Sequence, residues 1–338
     1  AFTDQTVSFN DPNLETKIRQ ELNHFYKPLF QSQLLTYSSL DLSNADISDL
    51  TGIEHFRNLE SLNLSNNKIH DVSPLSTLNK LHTLDLSDNR LANLKDANFA
   101  AIAHLNLHDL RLDRNISTSA QTDQGITNLE ALSSFQNLRT LSLADNHISD
   151  LSALAQLEKL SSLDLSQNRI RSLAGVERLQ NLQNLDLQAN RIRDITPLSP
   201  LTQLISLNLR ANQVVDLTPL QTLEKLEDLN LRENTGIENL SALRTLVHLK
   251  ELNLHSLNNV HDISALAGLR NLTTLILRNV NVGEQAHILS HLEKLQTLNL
   301  RNSNIQDLSF LAELMTRGAL QDQPEWQSTA SINLLDLD

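Results

Sequence analysis

The chain has 338 residues, no cysteine and a formal net charge of −13. The acidic balance argues against DNA or RNA as the main partner, because phosphate binding needs a basic face. Without cysteine the chain offers no thiol nucleophile, no thiolate zinc site and no disulfide, and no apolar run approaches the roughly 20 residues of a membrane-spanning helix.

The first 35 residues do not repeat and carry the pattern of a capping helix. Asp11 is a good N-cap, and Pro12 suits the first position of a helix. Apolar residues then fall four apart on one face, at Leu14, Ile18 and Leu22. Because the end of a repeat array would otherwise expose its apolar cross-section to water, we predict that residues 1–35 form an N-terminal helical cap.

A Leu-x-Leu signature opens the repeating part of the chain and returns at steps of mostly 22 or 23 residues. The first leucines of these signatures are Leu40, Leu62, Leu84, Leu110, Leu141, Leu163, Leu185, Leu207, Leu229, Leu252, Leu275 and Leu298. A fixed period of this length predicts an α/β leucine-rich-repeat solenoid. We expect about 12 repeats over residues 36–315, with the strands forming a parallel sheet on the concave side. Such an open surface favours binding over catalysis.

Alternation along each strand separates the core from the surface. In the second signature Leu62 and Leu64 point inward, so that Asn63 points outward. An asparagine follows where the chain turns, at Asn67, Asn89, Asn115, Asn146, Asn168, Asn190, Asn212 and Asn234. Since a carboxamide can serve backbone groups that water cannot reach, we predict a structural role for this column and a weaker column at both ends, where other residues stand.

The return segments share a motif of Ile or Val, any residue, Asp, an aliphatic residue, Ser or Thr, Pro or Ala, and Leu. It occurs at residues 69–75, 148–154, 192–198, 214–220 and 260–266. Ser or Thr before Pro or Ala suits the cap of a very short helical turn. A unit of about 22 residues has no room for a long helix, so we predict short 3₁₀ turns on the convex side.

This return motif, the 22-residue spacing and the opening sequence DPNLETKIRQEL resemble the internalin family of bacterial surface proteins over roughly residues 7–315. The resemblance implies a non-enzymatic, secreted or surface-exposed bacterial recognition module that binds its partner on the concave face. A start at Ala1 without methionine fits removal of a signal peptide as well as trimming, and the absence of disulfides leaves bacterial secretion open. An intracellular scaffold, such as a phosphatase regulator built from similar repeats, is the alternative.

Two parts of the chain depart from the regular period. The step from Leu84 to Leu110 is 26 residues, and the step from Leu110 to Leu141 is 31. The longer step contains a polar run, residues 117–125, which we predict to protrude as a loop that is either a contact site or a tolerated insertion. Residues 316–338 are predicted to form a C-terminal cap or a truncated repeat.

The outward strand positions change character along the sheet. After the second leucine, small and acidic residues give way to a basic stripe of Arg210, Arg232, His255, Arg278 and Arg301. Between the leucines of the same strands stand Asn208, Asn230, Asn253 and Asn299. Neighbouring strands lie ~4.8 Å apart, so arginine forks can converge on an anion, and we predict that these residues bind a protein or an acidic or sulfated ligand. The alternative is ordinary surface arginine answered by the acids Asp228, Glu233 and Glu251.

Three other chemistries have weaker support in the sequence. Asp164 and Asp186 could lie ~5 Å apart, as the carboxylates of retaining glycosidases do, but nothing predicts an enclosing pocket. A calcium-dependent adhesin could use a group of four acids, Asp85, Asp88, Asp109 and Asp113. His287 and His291 have the spacing of a metal pair but no third ligand. We therefore expect a monomer without catalytic residues, metal or cofactor.

Overall fold

The computed structural model describes residues 3–119, 122–320 and 331–333, and the chain divides into two compact units, Ala1–Arg169 and Ile170–Asp338, called here the N-terminal and the C-terminal unit. In both units a repeat consists of a three-residue strand, a tight turn and a short return segment. This confirms the predicted leucine-rich-repeat solenoid. No helix in the described part of the chain is long and apolar enough to cross a bilayer.

The N-terminal unit begins with two helices, α1 at Pro12–Leu22 and α2 at Gln31–Leu34. Leu14 and Ile18 of α1 are fully buried, as the four-residue spacing predicts. Leu22, the third member of the predicted apolar face, is only partly buried because the helix ends there. The predicted N-terminal helix is confirmed.

Asp11 joins α1 to the first repeat. One of its carboxylate oxygens accepts a 2.9 Å hydrogen bond from the Asn13 amide, and the other accepts a 2.7 Å bond from the Ser48 amide. The helix N-cap and an otherwise unpaired backbone donor of the first repeat therefore share one side chain.

The described residues of the N-terminal unit contain eight strands: β1 (Ser39–Asp41), β2 (Ser61–Asn63), β3 (Thr83–Asp85), β4 (Asp109–Arg111), β5 (Ser117–Ser119), β6 (Thr122–Gln124), β7 (Thr140–Ser142) and β8 (Ser162–Asp164). Six of them pair in parallel in the order β1-β2-β3-β4-β7-β8, with the first leucine of each signature opposite the next. Strands β5 and β6 pair antiparallel with each other. The polar run predicted as a loop therefore contains a short two-stranded ribbon.

The C-terminal unit contains seven strands in its described residues: β9 (Asn184–Asp186), β10 (Ser206–Asn208), β11 (Asp228–Asn230), β12 (Glu251–Asn253), β13 (Thr274–Ile276), β14 (Thr297–Asn299) and β15 (Ser331–Asn333). Each pairs in parallel with the next, in sequence order. Helix α3 spans Ser309–Thr316. Most of the segment predicted as a C-terminal cap or truncated repeat, residues 321–330 and 334–338, lies outside the described residues.

The return segments form the predicted 3₁₀ turns, among them Ser73–Thr77, Thr196–Leu198 and Thr218–Thr222. Their capping differs from the prediction, because Ser or Thr is the first residue of the turn and not its cap. The aspartate two residues earlier accepts the hydrogen bond, as Asp194 does from the Thr196 amide at 2.9 Å. The invariable Asp of the return motif is thus explained by its carboxylate, which reaches the turn's first free amide.

The eight predicted turn asparagines form a buried column, the asparagine ladder, with no member more than 8% exposed. Asn67 shows the pattern within the N-terminal unit. Its Oδ1 accepts hydrogen bonds from the amides of Ala45 (3.1 Å) and Ile47 (3.0 Å), and its Nδ2 donates to the carbonyls of Leu42 (3.0 Å) and Leu64 (2.9 Å). One side chain therefore satisfies backbone groups of two successive repeats.

Candidate functional site

The basic stripe lies on the solvent-facing side of the sheet in the C-terminal unit. The parallel register places Asn208 opposite Asn230 and Asn230 opposite Asn253, so the basic residues two positions further on follow the ends of neighbouring strands. All five members of the stripe are partly buried. The structure thus brings together the basic residues that the sequence singled out.

Glu233 forms ion pairs with two arginines of this stripe. Its Oε1 lies 3.0 Å from Nε of Arg232 and 3.8 Å from Nη2 of Arg210. The backbone of Glu233 has φ of 67°, in the left-handed region. One carboxylate therefore serves two guanidinium groups.

The middle of the stripe carries surplus positive charge. Nε of Arg278 is buried and has no hydrogen-bond partner among the described residues. Burial lowers the pKa of His255, and the nearby charges of Arg232 and Arg278 lower it further, while Glu233 opposes them. Arg210, Arg232 and Arg278 therefore lie close enough to His255 to disfavour its positive charge, and Glu233 is the acid that opposes them.

The asparagines between the leucines hold the backbone that carries the stripe. Oδ1 of Asn208, Asn230, Asn253 and Asn299 each accepts a 3.0 Å hydrogen bond from the amide two residues on, that of Arg210, Arg232, His255 and Arg301. In the N-terminal unit Asp85 and Asp164 make the same 2.9 Å bond to the amides of Ser87 and Ser166. The four asparagines therefore position the stripe, and direct ligand binding through them stays a prediction.

A second charged group consists of two acids that the sequence analysis names beside the stripe without predicting that they pair with each other, at the outward position before the first leucine. Asp228 on β11 stands directly opposite Glu251 on β12, and both side chains are exposed. Although Asp228 is exposed overall, partial burial of its carboxyl group against the sheet and the nearby Glu251 carboxylate raise its pKa. These two acids, called here the carboxyl pair, interact with each other, so of the three acids named in the alternative only Glu233 forms ion pairs with the stripe in the described residues.

The outward side of the N-terminal unit is acidic. Asp113 accepts hydrogen bonds from the Ser142 hydroxyl (2.6 Å) and the Ala144 amide (2.8 Å). Burial raises its pKa, and the carboxylates of Asp164 and Asp85 add to the rise against those two hydrogen bonds. Among the described outward positions of this face Arg111 stands beside several acids, and no row of basic residues comparable to the basic stripe occurs there.

The acids and histidines weighed as metal ligands are engaged in other interactions. Asp88 forms an ion pair with Arg114, with Nε 2.6 Å from Oδ1, and Nη1 of Arg317 lies 2.6 Å from Nδ1 of His291. In the described ranges no group of three or more His, Asp or Glu side chains could hold a metal ion.

Comparison with known proteins identifies the family. A model described as leucine-rich repeats (2 copies) matches residues 38–77, 57–99, 136–178 and 180–222. The crystal structure of an internalin of Listeria monocytogenes, InlF, aligns with 30% sequence identity and a TM-score of 0.76 over 90% of this chain and 93% of its own. The chain belongs to the internalin family.

Other solved structures agree with this assignment. Internalin C2 of Listeria monocytogenes aligns with 25% identity and a TM-score of 0.51 over 81% of this chain and 99% of its own. A leucine-rich-repeat protein of Leptospira interrogans, at 22% identity and a TM-score of 0.51 over 91% of this chain and 93% of its own, shows the fold alone. The comparison with curated proteins gave no match. The resemblance inferred from the return motif is confirmed.

The internalin-family chain also exposes an aromatic pair that the sequence reasoning did not consider. Phe25 is 50% exposed and Tyr26 99% exposed, in the turn between α1 and α2. Nη1 of Arg19 donates to the carbonyls of His24 (3.0 Å) and Lys27 (2.8 Å) and so holds this turn.

Proposed function

We propose that this internalin-family protein is a non-enzymatic recognition module, which binds an extracellular protein or acidic ligand through the basic stripe. The observation that carries the proposal is the charge imbalance of the stripe: Glu233 is shared by Arg210 and Arg232, and Nε of Arg278 has no partner among the described residues. A ligand carboxylate, sulfate or phosphate at the partly exposed guanidinium groups would balance the remaining positive charge of the stripe.

The stripe is well suited to binding because its backbone is held in place. Each asparagine-to-amide bond fixes the turn from which a basic side chain projects, as Asn230 does for Arg232 at 3.0 Å. Successive side chains stand on strands ~4.8 Å apart, which allows two neighbouring guanidinium groups to share one anion. Because this backbone is already ordered, ligand binding costs little further backbone conformational entropy, and this favours affinity.

The family supports a secreted or cell-surface location in a bacterium. Such a location would be tested by treating intact cells with protease and following the chain with an antibody. Degradation on intact cells would support display on the surface, whereas protection until lysis would favour the intracellular scaffold.

The proposed site is tested with a variant in which Arg210, Arg232, Arg278 and Arg301 are all changed to Ser. We expect binding to an array of extracellular proteins and sulfated glycans to fall at least about tenfold, since charged hydrogen bonds contribute roughly 1.5–3 kcal/mol each. The fold should persist because these side chains face solvent, which circular dichroism can check.

A matched control removes the same charge from exposed return segments, by changing Arg169, Arg171, Arg191 and Arg193 to Ser. Binding by this control should equal that of the wild type. Equal binding by the stripe variant and the wild type would remove the basic stripe as the site.

A further inference from the structure

The basic stripe and the carboxyl pair are carried by the same repeats. Asp228 and Arg232 belong to the repeat of β11, and Glu251 and His255 belong to the repeat of β12. In each repeat the acid opens the strand and the basic residue lies in the turn two residues beyond the strand's end, a separation of at most roughly 13 Å for four residues of chain. The exposed face of these two repeats is therefore acidic at one end and basic at the other.

The carboxyl pair is not neutralised within the described structure. Asp228 and Glu251 form no ion pair there, and the nearest lysine in sequence, Lys250, is engaged with Glu227 at 2.7 Å. Like charges directly opposite each other on neighbouring strands repel. A cation from a partner would relieve that repulsion.

A ligand that contacts both ends needs a negative group at the basic end and a positive group at the acidic end. At the basic end Glu233 is shared by two arginines and Nε of Arg278 lacks an acceptor. A sulfated glycan carries anions along its whole length, so the part lying over Asp228 and Glu251 would be repelled. A protein segment can place an acidic and a basic side chain at the required separation.

Resting on the proposed function, we infer that the ligand is a protein segment with separated charges, its acidic group against Arg232 and Arg278 and its basic group against Asp228 and Glu251. The carboxyl pair thus selects against polyanions, and the stripe supplies attraction. This assigns a specificity role to two residues outside the predicted site.

The test uses the full chain and short capped peptides displayed in four copies on streptavidin. One six-residue peptide has two glutamates, a Gly-Ser spacer and two lysines, which puts its opposite charges four residues apart, ~13 Å in extended form. The second has the same composition with glutamates and lysines interleaved. Heparin serves as the polyanion. The proteins are the wild type, Arg232→Ser with Arg278→Ser, Asp228→Asn with Glu251→Gln, and a charge-matched control, Glu224→Gln with Glu293→Gln, at exposed positions elsewhere.

We expect the charge-separated peptide to bind the wild type about tenfold more tightly than the interleaved peptide, and to lose that advantage in both paired variants but not in the control. Heparin binding should strengthen severalfold in Asp228→Asn with Glu251→Gln. If that variant binds peptide and heparin as the wild type does, while the arginine variant loses heparin, the inference fails and the proposed function stands. If neither variant changes the binding of any probe, both fail.

Discussion

At the scale of single residues, the asparagine ladder shows how much one side chain can decide. Oδ1 of Asn212 accepts from the Ile192 amide at 3.0 Å, and its Nδ2 donates to the carbonyls of Leu187 (2.9 Å) and Leu209 (3.0 Å). All of these backbone groups are buried, where water cannot replace a lost partner. The side chain is therefore required by the turn of the chain and leaves no free group for a ligand.

Replacing Asn212 by Ala should lower the free energy of unfolding by about 3 kcal/mol, because several buried backbone groups lose their partners at once. Urea unfolding followed by circular dichroism measures the change. Asn258→Ala, at an exposed position, is the control and should change stability by less than about 0.5 kcal/mol. Similar losses in both variants would show that the ladder bonds contribute little.

The raised pKa of Asp228 predicts that the stability of the fold depends on pH. Its folded pKa is raised above the ordinary value of 3.8 by burial and by Glu251, so the folded chain holds that proton more tightly than the unfolded chain does. The resulting stabilisation is present below 3.8 and is lost as the pH rises through the folded pKa.

We therefore expect Asp228→Asn to raise the thermal midpoint at pH 7 relative to the wild type and to leave it nearly unchanged at pH 3. The gain at pH 7 should be at most about 0.5 kcal/mol, since both carboxylates are exposed and screened. Melting curves at the two pH values decide the matter. A lower midpoint for the variant at pH 7 would mean that Asp228 is neutralised by an unseen cation.

At the scale of elements, the short 3₁₀ turns and helix α1 are stabilised by carboxylate side chains that accept hydrogen bonds at their N-terminal ends. Turns of three to five residues, such as Thr196–Leu198 and Thr218–Thr222, begin where Asp194 and Asp216 accept an amide two residues on, each at 2.9 Å. Helix α1 depends on Asp11 in the same way. Isolated helices this short are not stable in water, so their ends and their packing determine whether they form.

Asp11→Ala should destabilise the cap by about 1–2 kcal/mol, since the N-cap of α1 and the bonds to the first repeat are lost together. Burial alone would raise the pKa of Asp11, but hydrogen bonds from Ser48, Asp49 and Asn13 outweigh it and lower the pKa below 3.8. The wild-type advantage should therefore disappear as the pH falls below 3.8. Asp11→Asn, which retains an acceptor, should recover part of the stability; equal loss in both variants would assign the effect to charge alone. Urea unfolding at pH 7 and pH 3 provides the measurement.

At the scale of the whole molecule, each repeat contacts mainly its neighbours, so disturbance should remain local. Register pairs within each unit join consecutive strands of the sheet, for example Leu207 with Leu229 and Leu229 with Leu252. A solenoid of this kind has no single centre on which its stability depends.

Hydrogen exchange of Asn212→Ala should accordingly quicken in the repeats around residues 187–234 and stay unchanged in α1 and β1. Mass spectrometry of peptic peptides measures this, with the wild type as reference. Faster exchange along the entire chain would show that the repeats unfold as one cooperative body.

The sequence reasoning succeeded where a feature is repeated and failed where it depends on neighbours. The leucine spacing correctly predicts the strands, and the hydrogen-bonding capacity of the Asn67 carboxamide correctly predicts its structural role. The cap of the return turns was assigned to Ser or Thr, although Asp71 reaches the Ser73 amide at 2.9 Å. Local periodicity says which residues turn inward, but not which of two nearby polar side chains reaches a given amide.

By itself, the sequence determined the repeat, the capping helix and the row of basic residues, because all three follow from spacing along one chain. Only the tertiary structure decided that Glu233 answers Arg210 and Arg232 while Asp228 faces Glu251. Strand register places Asp228 opposite Glu251, and the stacking of repeats brings Glu233 to 3.8 Å from Arg210. Electrostatic energy depends on those distances, and spacing in one dimension does not contain them.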